Sequence, residues 1–187
     1  MNSLIKLSMA ALLWGVSSIS PALSADWIID KENSSLEFQL KVQNNDVKGR
    51  FATFDATIKL DPENPSTGSI EVVVDTTTIT TGNPQGDNLV QSAKWMAIAD
   101  YNQAVFKSTS ISKSSDGYVA EGELVVRETT LPVTLNFNLS VDGDKAKATG
   151  KTDLDRMDFG VGPEPSSSLP VGEAVQIIFE LEASKAN

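Results

Sequence analysis

"VKGRFATFDATIKL", residues 47–60, decides the fold class. Two alternating runs meet in it: Val47, Gly49 and Phe51 share one parity, and Phe54, Ala56, Ile58 and Leu60 share the other. Alternation of apolar and polar residues marks a half-buried strand, whose side chains point to opposite faces in turn. The slip between Phe51 and Phe54, with Gly49 just before it, points to a β-bulge or a sharp bend there. Such a bend is how an antiparallel sheet curls on itself.

The flanking sequence carries the same pattern. "SSLEFQLKV" (34–42) sets Leu36, Phe38, Leu40 and Val42 against Glu37, Gln39 and Lys41, and "SIEVVVDTTTI" (69–79) sets Ile70, Val72 and Val74 on one face. Strand patterns follow at 104–112, 118–128, 131–141, 145–156 and 174–184, the last with Val175, Ile177, Phe179 and Leu181 on one side. The turn-rich pieces "DPENPSTG", "SSDG", "VDGD" and "GPEPSSSLPVG" separate them. About eight strands in sequential order, with no βαβ rhythm, predict an all-β antiparallel sheet. Such a sheet buries one face by closing into a barrel or by folding into a two-sheet sandwich. The bend near Gly49 and the length of the strands favour an extended barrel.

One stretch breaks the alternation. In "GDNLVQSAKWMAIADY" (86–101), Leu89, Ala93 and Met96 fall four and three apart, which predicts a short helical insertion ending near Trp95.

Residues 1–24 read as a secretory signal peptide: one Lys, an apolar stretch of about fourteen residues and a small-residue end. Ala22 and Ser24 suit cleavage before Ala25, and Ala25 suits cleavage before Asp26. The expectation is a leader at 1–24 and one β-barrel domain at 25–187, exported to a bacterial periplasm. The sequence has no cysteine, so a good core has to replace the disulfides common in exported proteins. Net charge is −10, and one of the basic residues, Lys6, lies in the leader. A chain this acidic repels phosphate backbones, which excludes nucleic acid as an expected partner.

Histidine is absent as well as cysteine. A Ser-His-Asp triad, a thiol nucleophile, an imidazole base and the usual zinc, copper or haem ligands are therefore excluded. Asp153, Asp155 and Asp158 in "DLDRMDF" read as a solvated strand end, and they lack the spacing of a calcium loop. No metal or cofactor is expected. The three arginines, Arg50, Arg127 and Arg156, lie in or at the ends of apolar strands, where a planar donor fork suits an anionic or carbonyl-bearing group or a surface carboxylate. Aromatic residues are spread over nearly every strand. They either fill a barrel core or line an elongated cavity, and periodicity alone leaves both readings open.

The segments "DWIIDKENSSLEFQL", "VKGRFATFDATIKLDPENP", "GDNLVQSAKWMAIADYNQAVFKSTSI", "GYVAEGELVVRETTLPVTLNF", "RMDFGVG" and "VGEAVQIIFELEA", in this order, resemble the YceI-like family over residues 26–183. That resemblance implies an extended lipocalin-like barrel with a long hydrophobic pore, and carriage of an isoprenoid or other long-chain amphiphile, quinones included. It implies a lumen lined by Phe38, Leu40, Phe51, Phe54, Val72, Val74, Leu89, Trp95, Phe106, Leu124, Val126, Phe137, Phe159 and Phe179. Arg50, Asp87, Arg127 and Arg156 are then the head-group candidates, with residues 86–101 closing the mouth. Members often look dimeric, so a homodimer is a candidate assembly. Asn33, Val42 and Leu89 stand near places where many members carry histidine. The chain thus resembles the branch lacking them, some of whose relatives sit beside cytochrome b561-type membrane proteins. The competing expectations are a filled structural barrel, and a quinone-linked enzyme or redox accessory using carboxylates with Tyr101 or Tyr118.

Overall fold

The computed structural model describes residues 25–166 and 170–186. The leader read at 1–24 lies outside the described residues. Eleven strands form one antiparallel sheet: β1 Ala25–Ile29, β2 Ser35–Val42, β3 Asn45–Phe51, β4 Phe54–Leu60, β5 Ser69–Asp75, β6 Ile79–Thr80, β7 Gln103–Ser114, β8 Gly117–Val126, β9 Thr129–Asp142, β10 Lys145–Asp155 and β11 Val171–Lys185. One α-helix, α1 Pro84–Gln91, interrupts them.

The eleven strands make eight staves, because three staves are each broken in two. β1 and β2 lie end to end along β11, β3 and β4 lie end to end against them, and β6 continues β5 to pair with β3. From β5 the chain meanders through β7, β8, β9, β10 and β11, each pairing with the next. β11 then pairs with β2 through Val171–Glu180 and with β1 through Ala183–Lys185, which closes the barrel. Closure excludes the sandwich, since one sheet meets itself.

Of the two origins expected for the parity slip, a bulge or a sharp bend, the structure shows the bend. β3 ends at Phe51 and β4 begins at Phe54, and the two residues between them turn the chain so that both phenylalanines face inward. Gly49 serves another purpose: a Cβ there would stand 2.2 Å from the Phe38 ring, its register partner across the β2–β3 pair. Two more glycines lie under rings, Gly150 under its register partner and Gly122 diagonally across the β7–β8 pair. A Cβ at Gly122 would meet the Phe106 ring at 2.6 Å, and one at Gly150 would meet the Phe179 ring at 2.5 Å. On the inner face, three phenylalanine rings lie down over three glycines and stay flat against the wall.

The helical insertion is shorter and earlier than residues 86–101. Asn83 caps α1 by accepting from the main-chain N–H groups of Gln85 and Gly86, and Pro84 occupies the first turn, where its missing donor costs nothing. The helix stops at Gln91 because Ser92 turns extended and its hydroxyl donates to the Leu89 carbonyl at 2.7 Å. Residues 92–101 run as successive turns, with Ala97 in the left-handed region at φ 48°.

Gly150→Val is expected to destabilise the fold by about 1–3 kcal/mol in urea denaturation. The added Cβ meets the Asn136 carbonyl oxygen at 2.4 Å as well as the Phe179 ring, so the main chain itself has to give. An unchanged midpoint would contradict the ring-over-glycine wall.

Candidate functional site

The inward residues of the eight staves enclose a cavity of about 260 Å³. Its wall is apolar except at Thr152 and Arg156. Several inward side chains that a filled core would bury are only half-buried: Leu40, Val72, Leu124, Ile177 and Phe179 all line this space. Two buried clusters stand at its ends. Phe38, Ile79, Trp95, Met96, Phe159, Val161 and Val171 pack at the α1 end. At the far end stand Trp27, Leu60, Phe106, Ile111, Ala120 and Phe137.

Thirteen of the fourteen residues read as lumen-facing do line the cavity: Phe38, Leu40, Phe51, Phe54, Val72, Val74, Trp95, Phe106, Leu124, Val126, Phe137, Phe159 and Phe179. Leu89 does not. It is 39% exposed on the outer side of α1, and Val90, one residue on around the helix, takes the inward place. Trp27 and Met96 line it as well, and sequence reasoning passed over the small wall residues Ala104, Ala146, Ala148 and Ala183, although their inward parity was visible. It also passed over Gly122 and Gly150, which as strand-interior glycines mark close approaches.

Of the four head-group candidates, Arg156 alone reaches the cavity wall. It is 4% exposed, and every one of its donors is engaged. Nε donates to the Gly172 carbonyl at 2.9 Å; Nη1 donates to the Val161 carbonyl at 2.6 Å and the Met157 Sδ at 2.9 Å; Nη2 donates to the carbonyls of Pro163 at 3.0 Å and Val171 at 3.1 Å. The guanidinium also stacks over the Trp95 ring, 5.0 Å from its centroid. Burial pushes its pKa below the ordinary value, against the pull of Glu173, Asp155 and Glu164, and arginine stays charged regardless. Arg156 therefore clamps the loop after β10 to the start of β11 and to Trp95, and has no free N–H for a ligand.

The other three stand away from the lumen. Arg50 is exposed on β3, outward because its neighbours Gly49 and Phe51 face in. Asp87 fastens α1 to the end of β6: it accepts from the Thr81 N–H at 2.5 Å and from the hydroxyls of Thr81 at 2.8 Å and Thr80 at 2.9 Å. Those bonds, led by the Thr81 N–H, hold its carboxyl below the usual value. Arg127 sits in the β8–β9 turn at φ 56°, donates from Nη1 to the Gly160 carbonyl and lies 5.6 Å from the Tyr101 ring. Tyr101 Oη donates in turn to Glu128 at 3.2 Å, which raises its pKa. Arg127 thus joins the β8–β9 turn, the loop after β10 and the segment after α1.

A closed eight-stave antiparallel barrel around an apolar lumen, with a short helix at one end, defines a lipocalin-like class of protein. The model of the YceI-like domain matches residues 27–183, and the chain belongs to the YceI-like family. It is 31% identical over 192 residues to Protein YceI of Escherichia coli, covering 97% of this chain and 96% of that protein. A UPF0312 protein of Yersinia pestis is 29% identical over 190 residues, with the same coverage of 97% and 96%. Among solved structures, BcnA of Burkholderia cenocepacia matches with a TM-score of 0.79 and 26% identity over 83% of this chain and 99% of that one. A polyisoprenoid binding domain from Saccharophagus degradans, implicated in plant cell wall breakdown, matches with a TM-score of 0.66 and 13% identity over 87% of this chain and 99% of that one, a likeness of fold.

Removing the Arg156 clamp leaves backbone carbonyls in two loops without a donor. Arg156→Met is expected to lower unfolding free energy by about 2–4 kcal/mol, and Arg156→Lys by nearly as much, since an ammonium cannot span carbonyls in both loops. Chemical denaturation checks this. A fully stable Arg156→Lys would mean that charge, not the donor fork, is what the site needs.

Proposed function

We propose that the protein is an exported, periplasmic carrier that holds a long apolar chain of isoprenoid type, a polyprenyl lipid or a quinone tail, in the barrel lumen. The observation that carries this reading is the cavity lining: it is apolar, and its one charged group has no donor to spare. Such a wall rejects polar solutes, because each would lose its hydration without compensation. It suits a flexible hydrocarbon, whose affinity comes from area removed from water. A chain burying about 300 Å² gains about 7–8 kcal/mol gross, before the cost of ordering it. The fold shared with a polyisoprenoid binding domain supports the isoprenoid class. The leader read at 1–24, with cleavage before Ala25 or Asp26, supports export.

Carriage needs no bond-making step, and the reading assigns no catalytic residue. It places Phe38, Phe51, Phe106, Phe137 and Phe179 along the ligand's tail and Trp95 with Phe159 at the α1 end. A filled structural barrel is the less favoured reading, since the inward-facing Leu124 and Ile177 are only half-buried and line the cavity.

The test is organic extraction and mass spectrometry of the protein purified, without detergent, from the periplasm of a bacterium expressing it with its own leader. A long-chain species near one per protein is expected, reduced about tenfold in Ala148→Trp, whose indole fills the lumen. An empty wild-type protein whose melting is also unmoved by polyprenol or ubiquinone vesicles would overturn the reading.

A further inference from the structure

Carriage in a closed barrel raises the question of where the chain goes in. At the α1 end, Phe159 and Val161 of the loop that Arg156 clamps are buried together with Trp95 and Met96. At the far end, Trp27 Nε1 donates to the Leu60 carbonyl at 3.0 Å, Tyr118 Oη donates to the Pro62 carbonyl at 3.2 Å, and Tyr118 stacks on Phe137. Both ends are plugged by buried side chains tied to the wall.

The wall itself is broken at one seam. The β9–β10 ladder runs from Asp142↔Lys145 to Asn136↔Lys151 and stops there. The ladders on either side do not stop: β8–β9 continues to Val126↔Thr129 and β10–β11 to Asp155↔Ala174. Continued in register, the seam would set Thr134 opposite Asp153 and Pro132 opposite Asp155. The Thr134 carbonyl does face β10, since the Thr152 hydroxyl donates to it at 3.0 Å. By the alternation of a strand, the main chain of Pro132 faces the same way, and proline has no N–H to offer there. A side-chain bridge therefore stands where a main-chain ladder would, and a rung at Pro132 would lack one of its two hydrogen bonds.

A surface groove lies over this seam, lined by Leu131, Pro132, Asp153 and Asp155 among others. Four of its lining residues, Val133, Thr152, Leu154 and Phe159, also line the lumen. Groove and lumen are thus separated by a few shared side chains, not by a hydrogen-bonded wall.

The geometry points to the β9–β10 seam as a lateral portal through which the apolar chain enters the barrel, with Phe159 swinging aside at its inner mouth. This rests on the carrier reading above and specifies the route. Opening costs the Thr152–Thr134 bond and the withdrawal of one ring, Phe159, from the edge of the α1-end cluster, with no main-chain ladder to break, whereas opening either end requires unpacking a whole buried cluster. Asp153, Asp155 and Asp158 rim the groove, so a neutral prenyl alcohol suits it better than an anionic one.

The chain's lack of cysteine allows a clean test. Thr134→Cys with Asp153→Cys, joined across the seam by a reducible bis-methanethiosulfonate, is compared with a pair at the α1 end, Tyr101→Cys with Glu128→Cys. Uptake of farnesol from vesicles is followed before and after cross-linking. The seam cross-link is expected to slow uptake about tenfold, reversibly on reduction, while the α1-end cross-link changes it less than about twofold. Pro132→Val, which restores the missing N–H, is expected to slow uptake without any cross-link. Unchanged uptake through a locked seam, or arrest by the α1-end lock, would overturn the portal and leave carriage standing. A protein that takes up no farnesol in any state would overturn the carrier reading and the portal with it.

Discussion

The closed sheet depends on β11, whose length lets one strand pair with β10 on one side and with both β2 and β1 on the other. A meander without that second partner is an open, twisted sheet with two long edges, prone to pairing with other chains. With it, each stave has two neighbours over most of its length, and the period-two alternation sorts side chains into a dry interior and a wet exterior. The interruption between β1 and β2 falls opposite the stretch of β11 between Glu180 and Ala183, and the β2 pairing shifts register at its other end, between Val171 and Val175.

Eight staves leave an interior that side chains can either fill or merely line. Here the outcome turns on cross-strand relations. Phe38, Phe106 and Phe179 each lie over a glycine, so their bulk goes into the wall, and alanines at 146, 148 and 183 keep the β10–β11 side shallow. The lumen stays open for the same reason that it stays apolar: the large inward residues are flat and the small ones are Ala and Gly. Polar groups that come near it, above all the Arg156 guanidinium, are consumed by backbone carbonyls and hold the end loops shut.

Much of this was legible in the sequence, because strand parity is a local property. The inward faces of β2, β4, β5, β8 and β11 could be read directly, and so the aromatic lining could be read too. What escaped depended on register. Gly49 suggested a bulge or a bend, yet its use is set by Phe38, which no local pattern pairs with it. Leu89, Ala93 and Met96 have helical spacing, but a Ser92 hydroxyl and a left-handed Ala97 end the helix early, and Leu89 then faces outward. The arginines looked alike in sequence. Burial separates them, with Arg156 spent as a clamp, Arg127 as a tie between three loops, and Arg50 left on the surface. Pro132 in mid-strand was the local sign of the unpaired seam, but only the registers of both neighbouring ladders give it meaning.

The interior is a hollow apolar space rather than a packed core. Dry cavities of this kind take up xenon, which needs no polar partner. Diffraction from a crystal of the delipidated protein pressurised with xenon tests the claim most directly. The account predicts strong xenon peaks inside the barrel, between Phe106, Leu124, Phe137 and Phe179. Their absence from the lumen, with xenon confined to the surface, would contradict it.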